Sequence, residues 1–484
     1  MRLVAAGEER GPYISSAVVL GALALLTLTV FTGTRPLETA PVIALAIVFT
    51  LAYRSLLSWD SLLAVLVLVI LFVPIQRYVL PGSLPFELEP YRLFVAFIVA
   101  GWTASLLVDP RVRLRRTGLE LPAGLIVAAV LGSIVLNAGR VAEREPAVVK
   151  GVTFLLSFFL LLFLIASVVR TTDQVDRLLR VLVGGGAVVA ALAILESRAH
   201  YNVFDHLSGV IPVLEPGDFS VASSEEGRGA RAYASAQHPI ALGAALVMLI
   251  PPAVYLVRRS GRKAWWAAGA LLLIGSLATL SRTSVLMLLA VAIVFLWLRP
   301  KQTKRLWPFV IPVVLAVHIV IPGTIGTLKG AFFPEGGLIA EQSSNPGSRG
   351  QGRIADLGPS LQEFSHQPLV GQGYSTRIVD RTHPSDQILD DQWLGILLET
   401  GLVGFIGWLM LLLRPIRRLG RAAKEDDSDR GWLCVALAAS LGTYVIGMFT
   451  FDAFAFIQVS FIVFILLGLS VATLAAKPTA NELE

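Results

Sequence analysis

The sequence predicts an all-α polytopic membrane protein, and three observations carry that prediction. Hydrophobic residues make up 55% of the chain and charged residues only 15%, where a soluble domain carries about a quarter charged. Runs of roughly 17–22 apolar residues recur along most of its length, each enough to cross the bilayer core as a helix. The basic residues are concentrated in a few short connections between those runs.

Taken in order, the apolar runs predict about 14 transmembrane helices. They lie near 14–32, 40–57, 61–75, 91–108, 119–136, 149–169, 178–196, 239–257, 264–280, 283–298, 307–322, 392–413, 431–450 and 454–475. The second and third are short and separated only by Ser58–Asp60. Arg2, Glu8, Glu9 and Arg10 precede the first run and no small-residue cleavage site follows it, so a retained span is expected rather than a removed signal peptide. Cys434 is the single cysteine, inside an apolar run, which excludes an internal disulfide framework. The expected organisation is helices with short connections and an outer loop at 197–238 over residues 1–322, a large extracytoplasmic loop with short helices over 323–391, and three closing helices with a cytoplasmic tail over 392–484.

Charge sets the expected orientation. Arg111, Arg113, Arg115 and Arg116 share one connection; Arg258, Arg259, Arg262 and Lys263 share another. Arg299, Lys301, Lys304 and Arg305 form a third cluster, and Arg414, Arg417, Arg418, Arg421 and Lys424 a fourth. With this span count all four fall on one side, which the positive-inside rule makes cytoplasmic. Both termini are then inside and the loops 197–238 and 323–391 outside. The net charge of +6 therefore reports topology and not nucleic-acid binding.

The polar residues at the outer side carry the candidate chemistry. The pair 264–298 turns at Ser281-Arg282-Thr283-Ser284 and is barely long enough for two crossings, so Arg282 is held at or just below the outer membrane surface. Asp452 is the only charge of the last pair and lies at its outer turn, as an arginine's partner or a wet turn residue. His318 is expected to be a buried, hydrogen-bonded histidine. In the large loop Arg353 begins an amphipathic helix, with Ile354, Leu357, Leu361 and Phe364 on one face suited to the protein or the membrane surface. A Gly/Pro-rich turn follows from His366 to Gly373, then Arg377, Arg381, His383 and the acidic run Asp386, Asp390, Asp391.

Arg231, Arg282 and Arg353 suit an anionic ligand, because guanidinium forks match phosphate oxygens and stay charged. Their placement at the water–lipid boundary points to a lipid phosphate or diphosphate; ordinary phospholipid binding is the simpler alternative. No GxxxxGK[ST] loop and no dinucleotide fingerprint is present. A reaction on the outer face then needs a pre-activated donor, and a lipid diphosphate is a good leaving group where arginines stabilise its charge. His383, Asp390 and Asp391 qualify by type as the acceptor's base. The same aspartates, or Glu87 and Glu89, could instead hold a divalent metal, although their spacing matches no calcium loop.

Three stretches resemble the O-antigen ligase/polymerase family of bacterial envelope glycosyltransferases. Arg231–Gly243 (RAYASAQHPIALG) is similar to that family's R-x-x-G-x-F-x-H-P-N-x-x-G, and LSRTS at 280–284 to its T-x-S-R-[GS] turn. Arg353–Gly404 resembles its signature region, in which an arginine is followed by h-P-L-x-G-x-G and by H-N-x-[YW]-L-x-x-x-x-E-x-G-L-x-G. The resemblance covers about the C-terminal half. It implies transfer of a glycan from an undecaprenyl-diphosphate donor to a glycan or lipid acceptor outside the bacterial cytoplasmic membrane, with inversion and with no metal or other cofactor. Arg282 and Arg353, with Arg231, would grip the diphosphate, and His238, Glu399 and Asp452 would support the site. The family's His-Asn is Asp390-Asp391 here, so the base is Asp390, Asp391 or the earlier His383, and a polymerase or another acceptor is favoured over a ligase. A lipid-linked oligosaccharide flippase or transporter is the competing class, but internal repeats and midplane polar groups, usual in transporters, are not evident.

Overall fold

The structure, a computed structural model, describes residues 58–476 except 82–87, 110–111, 218–223, 226–228, 306–307, 309, 334–336, 338–352 and 378–388. The first two predicted spans, Glu87, Arg381, His383 and Asp386 therefore lie outside the described residues. The chain divides into two compact units, Met1–Val65 and Leu66–Glu484. Only 58–65 of the first are described.

A helix occupies every predicted span from the third onward. In chain order these are α1 (Trp59–Phe72), α2 (Pro90–Val108), α3 (Glu120–Leu136), α4 (Glu145–Val168), α5 (Thr172–Ala199), α6 (Pro239–Ser260), α7 (Lys263–Ala278), α8 (Arg282–Leu298) and α9 (Val310–Val320). The large loop contributes α10 (Thr324–Phe332) and α11 (Arg353–His366), and the chain closes with α12 (Gln392–Glu425), α13 (Asp429–Gly447) and α14 (Ile457–Ala475). Among the described residues seven helices are long and apolar enough to cross a membrane, or eight if the pair α9–α10, bent by 113°, is one broken span. Helices α7 and α8 have 16 and 17 residues. That is about 24–26 Å at the helical rise, short of the ~30 Å core, so the turn at Arg282 lies within reach of the bilayer.

Helix α14 is the centre of the bundle, with 94% of its apolar window buried, whereas α2 at 22% is peripheral. It packs along α4, where Phe158 stacks against Phe464 at 5.2 Å and edge-on to Phe461 at 5.0 Å. Small residues let the backbones approach: a Cβ at Gly275 on α7 would come within 2.7 Å of the Ala190 side chain on α5. The only strands among the described residues are two-residue pairs, Tyr78–Val79 (β1) with Glu215–Pro216 (β2), and Ser224–Glu225 (β3) with Gly229–Ala230 (β4).

One end of the bundle gathers the basic connections. Arg259 pairs with Asp429 at 2.9 Å and with buried Asp176 at 3.4 Å, and Tyr255 donates to Asp176 at 2.6 Å. Arg299 pairs with Asp427 at 3.2 Å over the Trp432 ring, which Arg258 also covers. Arg414 and Arg418 donate to the carbonyls of Gly118 and Thr117, which follow the first cluster in the chain. These contacts bring three arginine-rich stretches, 258–263, 299–305 and 414–424, together with the segment that follows the first cluster.

One expectation changes. His318 is exposed on α9, because the buried side of that short helix falls on Val317 instead. The apolar face of α11 is split: Phe364 packs on Leu389, Leu394 and Leu398, while Ile354, Leu357 and Leu361 are exposed. The face turned to the protein carries Asp356 and Ser360, both buried.

Candidate active site

The other end of the bundle is built around a break in α12. Gly401 has φ 63° and ψ −165°, a region open almost only to glycine. The break takes residues 398–403 out of the helical ladder, and the loop 368–373 supplies replacement partners. Leu402 and Val403 donate to the carbonyls of Pro368 and Leu369 at 2.8 and 3.2 Å, and the Gln372 amide donates to the Leu398 carbonyl at 2.8 Å. Ser133 on α3 donates to the Glu399 carbonyl at 2.5 Å and accepts from the Gly373 amide at 3.0 Å. Asn137, one turn on, donates to the Gly371 carbonyl at 3.1 Å. A side chain at Gly371 would collide with the backbone of Glu399 and Thr400, and one at Gly401 with the backbone of Leu369 and Val370. The glycines of the P-L-x-G-x-G and E-x-G stretches thus let two backbones lie against each other.

Beside the break lies a cavity of about 620 Å³. Glu399, Asp391 and Asp452 line it with Lys150 and Arg377, and Trp408, Phe454 and Phe456 form aromatic wall. Asp391 is the N-cap of α12 and accepts from the Leu394 amide at 3.1 Å. The turn between α13 and α14 is tied to the same point: Gln392 donates its amide to the Met448 carbonyl at 2.8 Å and accepts the Phe454 amide at 2.7 Å. Burial pushes the Asp452 carboxyl up to about 6, with Asp390 adding repulsion, against the amides of Ala455 and Phe454 that donate to it. Arg377 donates to Glu363 of α11 at 2.8 Å, and its Nε is buried without a hydrogen-bond partner among the described residues.

Arg231 and Arg282 stand outside this cavity's lining but at the same end. Arg231 is 3% exposed and its Nε donates to the Thr279 carbonyl at 3.1 Å, which ties the segment before α6 to the turn before α8. Arg282 opens α8 and donates to the Ala331 carbonyl at the end of α10 at 3.0 Å. The next turns of α8 lead to the cavity: Met287 packs against Gly447 at the end of α13, Phe451 follows, and Phe451 stacks on Phe456 at 5.8 Å. Arg353 begins α11, whose far end packs on α12 through Phe364. His238 caps α6, accepting the Ile240 amide at 3.2 Å, and its ring stacks on Phe456 at 5.6 Å.

Several participants carry no sequence signal of their own. Lys150 and Ser133 are polar residues in predominantly apolar helices, and Gln76 and Gln237, which line the cavity with Lys150, hydrogen-bond to each other at 2.8 Å. Arg77 is buried, paired with Asp205 at 2.7 Å and stacked over Tyr233 at 5.1 Å, and so fastens the loop 200–234 to β1. Of the acidic metal candidates, Glu89 pairs with Arg92 at 2.8 Å and accepts the Gln76 amide at 2.6 Å. Among the described residues no group of three His, Cys, Asp or Glu is placed to hold a metal ion.

Comparison with known proteins supplies one match. No curated protein matches the chain. Residues 267–409, from the second turn of α7 through the cavity-lining part of α12, match the family described as O-antigen ligase. That segment holds Arg282, Arg353, the loop 368–373, Asp390, Asp391 and the break at Gly401, while Arg231, His238 and Ser133 lie before it. The chain is a helical protein of membrane type in which residues 267–409 of 484 are similar to the O-antigen ligase family.

Proposed function

We propose that the protein is a membrane glycosyltransferase that moves a glycan from a polyprenyl-diphosphate carrier, of the undecaprenyl type, to a glycan or lipid acceptor. The reading places the site on the extracytoplasmic face of the bacterial cytoplasmic membrane, since the basic connections gather at the opposite end. The observation that carries it is the meeting of the matched segment's polar residues with a cavity at one end of the bundle.

In this reading Arg282 and Arg353 hold the diphosphate as negative charge develops on it, without metal and with inversion at the anomeric carbon. Arg231 belongs to the same group by position, acting through the turn it ties to α8. The acceptor hydroxyl must lose a proton, and the family's basic position falls on Asp390 and Asp391, with His383 a few residues earlier. Asp391 is engaged as a helix cap. Replacement of its His-Asn by two aspartates favours a polymerase, which extends one lipid-linked glycan with another.

The test is incubation of the purified protein with a lipid-diphosphate oligosaccharide and sizing of the products. A ladder identifies a polymerase, and a single shift onto an added lipid acceptor a ligase. Absence of any product removes the enzymatic reading. Arg282→Ala and Arg353→Ala are each expected to abolish transfer while the protein still inserts in the membrane; normal transfer by both would refute the proposed grip.

A further inference from the structure

The cavity at the break has the chemistry of a sugar site. Its volume of about 620 Å³ falls within the ~300–1,000 Å³ of small-molecule sites. Carboxylates and the amides of Gln76, Gln237 and Gln392 offer hydrogen-bonding edges, while Trp408 and Phe454, with ring centroids 4.4 Å apart, offer apolar faces for the C–H side of a sugar ring.

The three lining carboxylates differ in what already occupies them. Asp391 caps α12. Asp452 accepts from two amides of its own turn. Glu399 accepts from the Ser375 amide and sits two residues before Gly401, where the chain leaves helical geometry and is fixed by Ser133. Its backbone is thus held from α3, its carboxylate accepts the Ser375 amide, and it lines the cavity.

We infer that this cavity receives the acceptor glycan and that Glu399 is the carboxylate that takes the proton from its attacking hydroxyl. This rests on the glycan-transfer reading above and names the acceptor subsite and base of that reaction. The acceptor oxygen forms its bond to the donor's anomeric carbon, the bond from that carbon to the diphosphate oxygen breaks, and its electron pair leaves with the diphosphate. The hydroxyl proton ends on Glu399. Asp390 then acts through its charge, which opposes ionisation of Asp452.

The experiment compares the wild type, Glu399→Gln, Asp390→Asn and Asp391→Asn in transfer from a lipid-diphosphate oligosaccharide, across pH. Glu399→Gln should lose roughly 10²–10⁴-fold in turnover, the usual worth of a general base, with the donor's KM unchanged and the acid limb of the pH profile gone. Both aspartate variants should keep that limb. A Glu399→Gln rate within a few-fold of wild type, or one with the acid limb intact, overturns the inference; loss of the limb in Asp390→Asn instead would hand the role to Asp390. If Glu399→Gln does not give a monodisperse protein in detergent, Glu399→Asp serves: it must be slower than wild type yet keep the limb, and an undiminished rate overturns the inference. A wild type that makes no product fails the glycan-transfer reading itself, whereas an active wild type with an equally active Glu399→Gln fails only this assignment.

Discussion

The Ser133 hydroxyl donates to the Glu399 carbonyl at 2.5 Å, so a helix outside the matched segment closes the break inside it. Ser133 is fully buried and also accepts the Gly373 amide, so one side chain satisfies peptide groups from two separate stretches. Ser133→Ala should leave both without that partner, at about 1–3 kcal/mol for each buried group. The expected result is a lower melting temperature in detergent and a fall of about tenfold in transfer, since small misplacements of a reacting group are costly. A variant that melts and turns over as wild type would show that the break holds without α3.

Gly401 gives the sharper test of the same arrangement. Alanine there meets a backbone conformation that costs on the order of 1–3 kcal/mol and a collision with Leu369 that only movement of the whole loop 368–373 relieves. Gly401→Ala should therefore destabilise the protein and abolish transfer. Gly139→Ala is the control, since a Cβ at Gly139 meets nothing within 4 Å. It should be neutral or slightly stabilising, and comparable melting of the two variants would contradict the account of the break.

The positions of the helices were legible in the sequence because apolar runs of membrane length have few other uses; α2 to α8 begin within about six residues of the expected places. The large loop was legible as the seat of chemistry. The break was not, because Gly401 sits inside the run 392–413, whose length and composition read as one helix, and only the partners from loop 368–373 and α3 show why a glycine is there. Glu399 was recognised as a supporting residue, but its place in a cavity depends on Lys150, Gln76 and Asp452, which are distant in sequence. For α11 the periodicity identified an apolar face without showing that the polar one, Asp356 and Ser360, is turned inward.

Asp452 should make stability depend on pH. Its carboxyl is pushed up to about 6 in the fold, against about 3.9 in an unfolded chain. Between those values the folded state holds the extra proton, so stability falls as pH rises through this window. The contribution is fully present below about pH 4 and lost once the pH passes about 6. Asp452→Asn, which never ionises, should flatten this part of the melting-temperature profile and match or exceed wild type at pH 7. An unchanged slope would mean that Asp452 is ionised throughout.

Arg231 and Arg282 should separate by their effects. The Arg231 side chain is buried and holds the Thr279 carbonyl, so Arg231→Ala is expected to lower stability by a few kcal/mol, the scale for stripping a buried charged donor from its partner. Arg282 is half-buried at the start of α8 and donates to the Ala331 carbonyl of α10. Arg282→Ala should melt within a few degrees of wild type yet lose transfer. Equal melting losses in both, with activity that tracks folded protein, would make Arg282 a structural residue as well.

Sidedness is open to direct measurement because Cys434, the one native thiol, is buried and should react slowly with polar reagents. Ser365 near the end of α11 and Ser260 at the end of α6 are both exposed, and they stand at opposite ends of the bundle. In intact cells freed of the outer barrier, a membrane-impermeant maleimide should label Ser365→Cys at once and Ser260→Cys only after the membrane is opened. The wild type should remain unlabelled in both states. Labelling of Ser260→Cys from outside, with Ser365→Cys protected, would turn the molecule over. The cavity would then face the cytoplasm, where activated nucleotide sugars are at hand, and the argument for a lipid-diphosphate donor would lose its basis.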